Sequence, residues 1–124
     1  MNVLIIFFAV LTLSLLILNI LIARKIIKLK FLWHKRFSYI LLLSSALHFA
    51  TIFIKYIEDL TYILPVALGG SVIYLLLIIQ ILIGKNIIKA GIKTHRILGY
   101  VILFLSLFHA LFALSYKSGF INFN

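Results

Sequence analysis

The residues of this chain that could do chemistry are its histidines, and their spacing is regular. His34 and His48 form one pair and His95 and His109 another, with thirteen residues inside each pair and none of the four left over. At about 100° and 1.5 Å per residue, fourteen steps of an α-helix return a side chain to within about 40° of its starting direction, about 21 Å further along the axis. Each pair therefore projects from one stripe of one helix at two depths. Two such helices offer two levels of paired imidazoles, the arrangement that stacked metal centres require.

The elements that must position them are apolar. Of 124 residues, 65% are hydrophobic and 11% charged, and the mean hydropathy is +1.28, whereas a water-soluble domain carries roughly 25% charged residues. The chain reads as an integral membrane protein with room for about four spans of roughly 20 residues and no further soluble domain. The apolar runs are Val3 to Ala23, Leu32 to Ile57, Tyr62 to Gly84 and Ile97 to Tyr116. Pro65 falls in the opening turn of the third, where a missing N–H costs little. The first run has no basic residue before it and is too long for a leader core, so it reads as a retained helix. Both termini then lie on one side.

Arg24, Lys25, Lys28, Lys30, Lys35 and Arg36 follow the first run, and Lys85, Lys89, Lys93 and Arg96 follow the third; the other side has Lys55 and Lys117. This bias places the two basic connections in the cytoplasm and both termini on the outer side of the cytoplasmic membrane. The net charge of +10 is thus a topology signal. It also suits contact with anionic lipid, and nucleic acid is not an expected partner.

A repeat organises the rest. A shift of sixty-one residues lays His34 on His95, His48 on His109, Tyr39 on Tyr100, Ser45 on Ser106, Asn19 on Gln80, Arg24 on Lys85 and Lys28 on Lys89, without a gap. The expected fold is an all-α membrane protein: one four-transmembrane-helix bundle of two tandem helical hairpins, residues 1–61 and 62–124, with pseudo-two-fold symmetry along the membrane normal. His34 then lies level with His95 near the cytoplasmic face, and His48 with His109 nearer the outside.

A lone histidine in a span is usually a packed, hydrogen-bonded residue. Four at equal positions of a repeat are not explained that way, because intramembrane ionisable groups are costly and mark function. Structural zinc wants four ligands at one point, and these histidines separate by about 21 Å along the helix axis. Two ligands per level suit a six-coordinate haem, whose porphyrin fills the remaining positions. The chain has no cysteine, so it forms no disulfide, ligates no iron–sulfur cluster and attaches no c-type haem. The expected cofactors are two b-type haems. Glu58 and Asp59 are the only acidic residues, adjacent between the second and third runs, which leaves no carboxylate-rich metal site.

These two H-x13-H helices, second and fourth of four, resemble the haem-binding half of the cytochrome b subunit of bc and b6f complexes. The ferric reductase and NADPH oxidase membrane domain is similar more distantly. The cytochrome b resemblance implies small residues beside the haem edges on the first and third helices, at Ala9 and Ala23 and at Gly70 and Gly84, each pair fourteen apart. The family's later helices and outer quinol motif have no counterpart here. Lys35, Arg36 and Arg96 flank the inner histidines as candidate partners for haem propionates.

Bis-histidine iron has no open position for oxygen or substrate, so the expected function is a diheme b-type cytochrome carrying electrons across the membrane, to or from quinone or a partner subunit. An electron-transfer role is favoured over a stand-alone enzyme. The alternatives are a quinol oxidoreductase or transmembrane ferric reductase acting at a haem edge, and a haem-free scaffold or transporter with histidines as proton relays.

Overall fold

The computed structural model of the chain describes residues 2–58 and 60–117. The described residues form four helices, α1 (Asn2–Ala23), α2 (Phe31–Lys55), α3 (Leu60–Gly84) and α4 (Gly91–Lys117). All four are long and apolar enough to cross a membrane. Large apolar side chains such as Phe7, Leu43, Leu75 and Phe104 remain exposed along each of them, which is costly in water and normal against lipid.

Two boundaries differ from expectation in ways that matter. Helix α4 starts at Gly91 and not near Ile97, so His95 is its fifth residue. The apolar run was interrupted by Lys93 and Arg96, but both are good helix formers, and charge at a helix end does not stop hydrogen bonding. Helix α3 starts at Leu60, which puts Pro65 in the second turn, where the absent N–H removes a bond to the Thr61 carbonyl.

The two basic turns have the same construction. After α1, Arg24, Lys25 and Ile26 donate backbone N–H bonds to Ile20, Ile22 and Leu21 at 2.9, 3.0 and 3.0 Å; after α3, Lys85, Asn86 and Ile87 donate to Ile81, Ile83 and Leu82, each at 2.9 Å. Lys25 (φ 58°) and Asn86 (φ 60°) supply the left-handed residue. This is the Schellman termination, which satisfies otherwise orphaned carbonyls at a helix end. Asparagine tolerates that conformation, and lysine adopts it at a cost of about 1 kcal/mol.

Helix α1 packs most extensively on α2 and α3 on α4; α2 also meets α3, and α1 meets α4 more lightly. Backbones of α2 and α4 do not approach one another closely, so the two histidine-bearing helices stand on a diagonal with space between them. Leu15, Leu16, Leu41, Leu77 and Ile102 form the buried core. Within it Leu16 with Leu77, and Leu41 with Ile102, are pairs sixty-one residues apart. Since 41 and 102 fall midway between the histidines of their helices, this apolar layer separates the two levels.

Candidate functional site

At the inner level, the end bearing the two basic turns, α2 presents His34 and α4 presents His95 across the diagonal. Their ring centroids are 6.2 Å apart with planes at 82°. Nδ1 of His34 donates to the carbonyl of Asn19 and Nδ1 of His95 to the carbonyl of Gln80, both at 3.1 Å. A carbonyl only accepts, so each bond holds the ring hydrogen on Nδ1 and leaves the Nε2 lone pair free. That is the second-sphere support a metal-binding imidazole normally has. Phe31 stacks on His34 with centroids 5.1 Å apart.

A cavity of about 700 Å³ surrounds these rings, within the range of small-molecule sites. It is lined by matching positions from both halves: Asn19 and Gln80, Ala23 and Gly84, Arg24 and Lys85, Lys35 and Arg96, Tyr39 and Tyr100. The structure thus brings together His34, His95, Ala23, Gly84, Lys35 and Arg96. Arg36 does not line this cavity; its guanidinium lies over the Trp33 ring, 5.2 Å from the centroid. Three residues along one helix is the natural reach for such a cation–π contact. Lys85 makes another over Tyr39 at 5.1 Å, tying the second basic turn to α2.

Side-chain size is balanced between the halves at this level. The buried Asn19 amide bridges α1 to α2: its oxygen accepts from Ser38 Oγ at 3.0 Å and its NH2 group donates to the His34 carbonyl at 2.9 Å. Sixty-one residues on, the longer Gln80 faces Gly99, where an added Cβ would stand 2.8 Å from its Nε2. The missing side chain at 99 makes room for the extra methylene at 80. Sequence reasoning matched Asn19 to Gln80 but passed over Ser38 and Gly99, whose types differ; the signal was the joint change at two positions.

The outer level is built less evenly. Nδ1 of His48 donates to the Ile5 carbonyl at 3.2 Å. The His109 ring rests on two glycines: an added Cβ at Gly69 would be 3.3 Å from its Nδ1, and one at Gly70 would be 3.4 Å from its Cε1. Gly84 stands in the same relation to His95, at 3.1 Å from Cε1. The glycines expected beside a cofactor edge therefore lie against the imidazoles themselves. Gly69, absent from the expected set, touches His109 as closely as Gly70 does. Ala9 is half-buried on α1, and neither it nor His48 lines the inner cavity or the smaller one beside His109.

Glu58 is exposed at the α2–α3 connection, and Asp59 lies outside the described residues. Among the described residues, no three or more His, Cys, Asp or Glu side chains converge; at the inner level two histidines, His34 and His95, meet. Comparison with known proteins finds no matching family model, no matching curated protein and no matching solved structure.

Proposed function

We propose that this protein is a diheme b-type electron carrier moving electrons between the two faces of a membrane, to or from quinone or a partner subunit. His34 and His95 would hold the inner haem, and His48 and His109 the outer one. The observation that carries the reading is the inner pair. His34 and His95 would hold the group between them, and their ring centres, 6.2 Å apart across the diagonal, are near enough for both to reach it. Both have Nδ1 committed to a carbonyl, so both offer the required nitrogen, and the surrounding cavity of about 700 Å³ leaves room for a planar group between diagonal helices.

A b-type haem held by each histidine pair would supply one-electron exchange. The chain's own residues do the rest. Asn19 and Gln80 aim the inner rings through their carbonyls; Lys35 and Arg96 would present cations to propionates; the Leu16–Leu77 and Leu41–Ile102 layer separates the two levels with apolar side chains. The recurrence of turns, carbonyl anchors and cavity walls at a sixty-one-residue interval supports two equivalent hairpins about a pseudo-two-fold axis along the membrane normal. With the basic turns on the cytoplasmic side, both termini lie outside. The resemblance to the haem-binding half of cytochrome b is part of the same proposal.

The deciding experiment is optical. Protein expressed with haem available is expected to show a reduced b-type spectrum and a pyridine-haemochrome ratio of two haems per chain. A folded but colourless protein ends the proposal.

A further inference from the structure

The two levels of histidine lie at different depths from the ends of their helices. His34 is the fourth residue of α2 and His95 the fifth of α4, so at about 1.5 Å per residue both stand about 5–6 Å, one helical turn, inside the end that carries the basic turns. Helix α2 runs on from His48 to Lys55 and α4 from His109 to Lys117, which sets the outer pair about 10–12 Å from the opposite end. The inner cavity also reaches the end surface, because Arg24, Lys85, Asn86 and Ile87 of the two turns line it. Electron tunnelling slows steeply with distance, so a redox partner that stays in water is better placed to serve the inner level than the outer one.

The shallow end is also the charged one. Residues 24–36 and 85–96 hold ten lysines and arginines and no acidic residue, whereas Lys55 and Lys117 on the other side are matched by Glu58 and Asp59. A surface of one sign draws in opposite charge and raises association rates by about 10–10³-fold. Lys35 and Arg96 line the cavity, but Lys25, Lys28, Lys30, Lys89 and Lys93 are exposed outside it, with Ile26, Leu29 and Ile88 exposed between them. Apolar patches within a polar rim are the make-up of a protein–protein contact. A small anion needs converging cations, and these are spread over both turns and the start of α4.

We propose that the basic end of the bundle is a docking surface for an acidic, water-soluble electron-carrying protein that exchanges single electrons with the inner level. One electron leaves the partner's reduced centre and is taken up at ferric iron held by His34 and His95, with no bond made or broken and no proton moved; the reverse transfer uses the same contact. The inference rests on the diheme reading for what the partner exchanges electrons with. It adds which level meets a soluble partner, and through which residues. An anionic lipid headgroup offers the same lysines a phosphate but carries no electron.

The test uses haem-loaded protein in phosphatidylcholine nanodiscs, which leave both ends in water and add no net charge. The probes are a plant-type [2Fe–2S] ferredoxin, an acidic one-electron carrier, and cytochrome c, a basic one. Wild type is expected to bind ferredoxin with an affinity that falls steeply from about 20 to about 200 mM salt, and to take electrons from reduced ferredoxin into the inner haem first, followed by freeze-quenched magnetic resonance. Lys28→Gln, Lys30→Gln, Lys89→Gln and Lys93→Gln together are expected to slow ferredoxin binding and haem reduction at least about tenfold, without loss of haem and without slowing oxidation of the reduced protein by cytochrome c. K28Q with K89Q serves should the fourfold variant lose haem. Unchanged ferredoxin binding and reduction in variants that retain two haems overturns the proposal, as does reduction of the outer haem first. So does a wild type that fails to bind ferredoxin but retains phosphatidylglycerol through purification where the variant does not, which assigns the lysines to lipid. A protein without haem that still binds ferredoxin through these lysines ends the diheme reading and leaves the docking surface standing.

Discussion

At the inner level both imidazoles are anchored through Nδ1, one to Asn19 and one to Gln80, and they face each other across a cavity walled by matched residues. At the outer level His48 is anchored to Ile5, while His109 rests on two glycines with its Nδ1 free among the described residues. The two levels have the same residue types at the same spacing. They differ in how much rotational freedom a ligand must give up on binding, since fixing a side chain costs up to about 2 kcal/mol. Equal ligands on unequal supports make unequal sites.

The strongest way to break this comparison is to remove ligands one level at a time. His95→Ala and His109→Ala are each expected to lower the haem content from two per chain to one, measured by pyridine haemochrome. In wild type, transfer of haem to excess apomyoglobin is expected to empty the outer level first, and equal loss from both levels would erase the distinction drawn here. A second contrast uses the glycines. Gly84→Ala puts a methyl 3.1 Å from His95 Cε1, whereas the methyl of Gly70→Ala meets His109 at 3.4 Å, an ordinary contact. G84A is expected to shift the magnetic-resonance signal of the inner haem, and G70A to leave the outer signal nearly unchanged.

Smaller effects sharpen the picture within the inner level. Gly99→Ser should push aside the flexible end of Gln80, whose Nε2 would be 2.8 Å from the new Cβ, and cost about 1 kcal/mol of stability, the low end for overpacking. Gln80→Asn in the same chain recreates the Asn19–Ser38 pair and should recover most of that loss; no recovery in thermal melts would mean the two positions are independent. The smallest change expected is at the first basic turn. Lys25→Gly relieves a left-handed lysine and should raise stability by about 1 kcal/mol, seen as a higher Tm in the same detergent, with both haem signals unaltered.

Much of the scaffold was legible in the sequence because membrane helices are written in composition, and a gapless sixty-one-residue repeat exposes its polar positions. His34 and His95 were brought together as expected. The rest depended on contacts that residue type does not encode. Nothing about Arg36 reveals that it turns to Trp33, and a lysine gives no sign that it will occupy the left-handed position where glycine is usual. The start of α4 was misplaced because an apolar run measures burial in lipid, not where hydrogen bonding begins. Residue type also does not show that the His109 ring lies against Gly69 and Gly70, which stand where the first half has Phe8 and Ala9.

The buried layer of Leu15, Leu16, Leu41, Leu77 and Ile102 has a further consequence. Its own side chains are apolar, and the buried polar groups one turn away on either side, Ser44 with Thr12 and Asn19 with Ser38, are paired with each other, so a chain of water or of hydrogen-bonded protons finds little foothold across it. An electron needs neither foothold nor solvation to tunnel through a few leucines. With the proposed haems bound on either side of it, such a septum would pass electrons while insulating against ions.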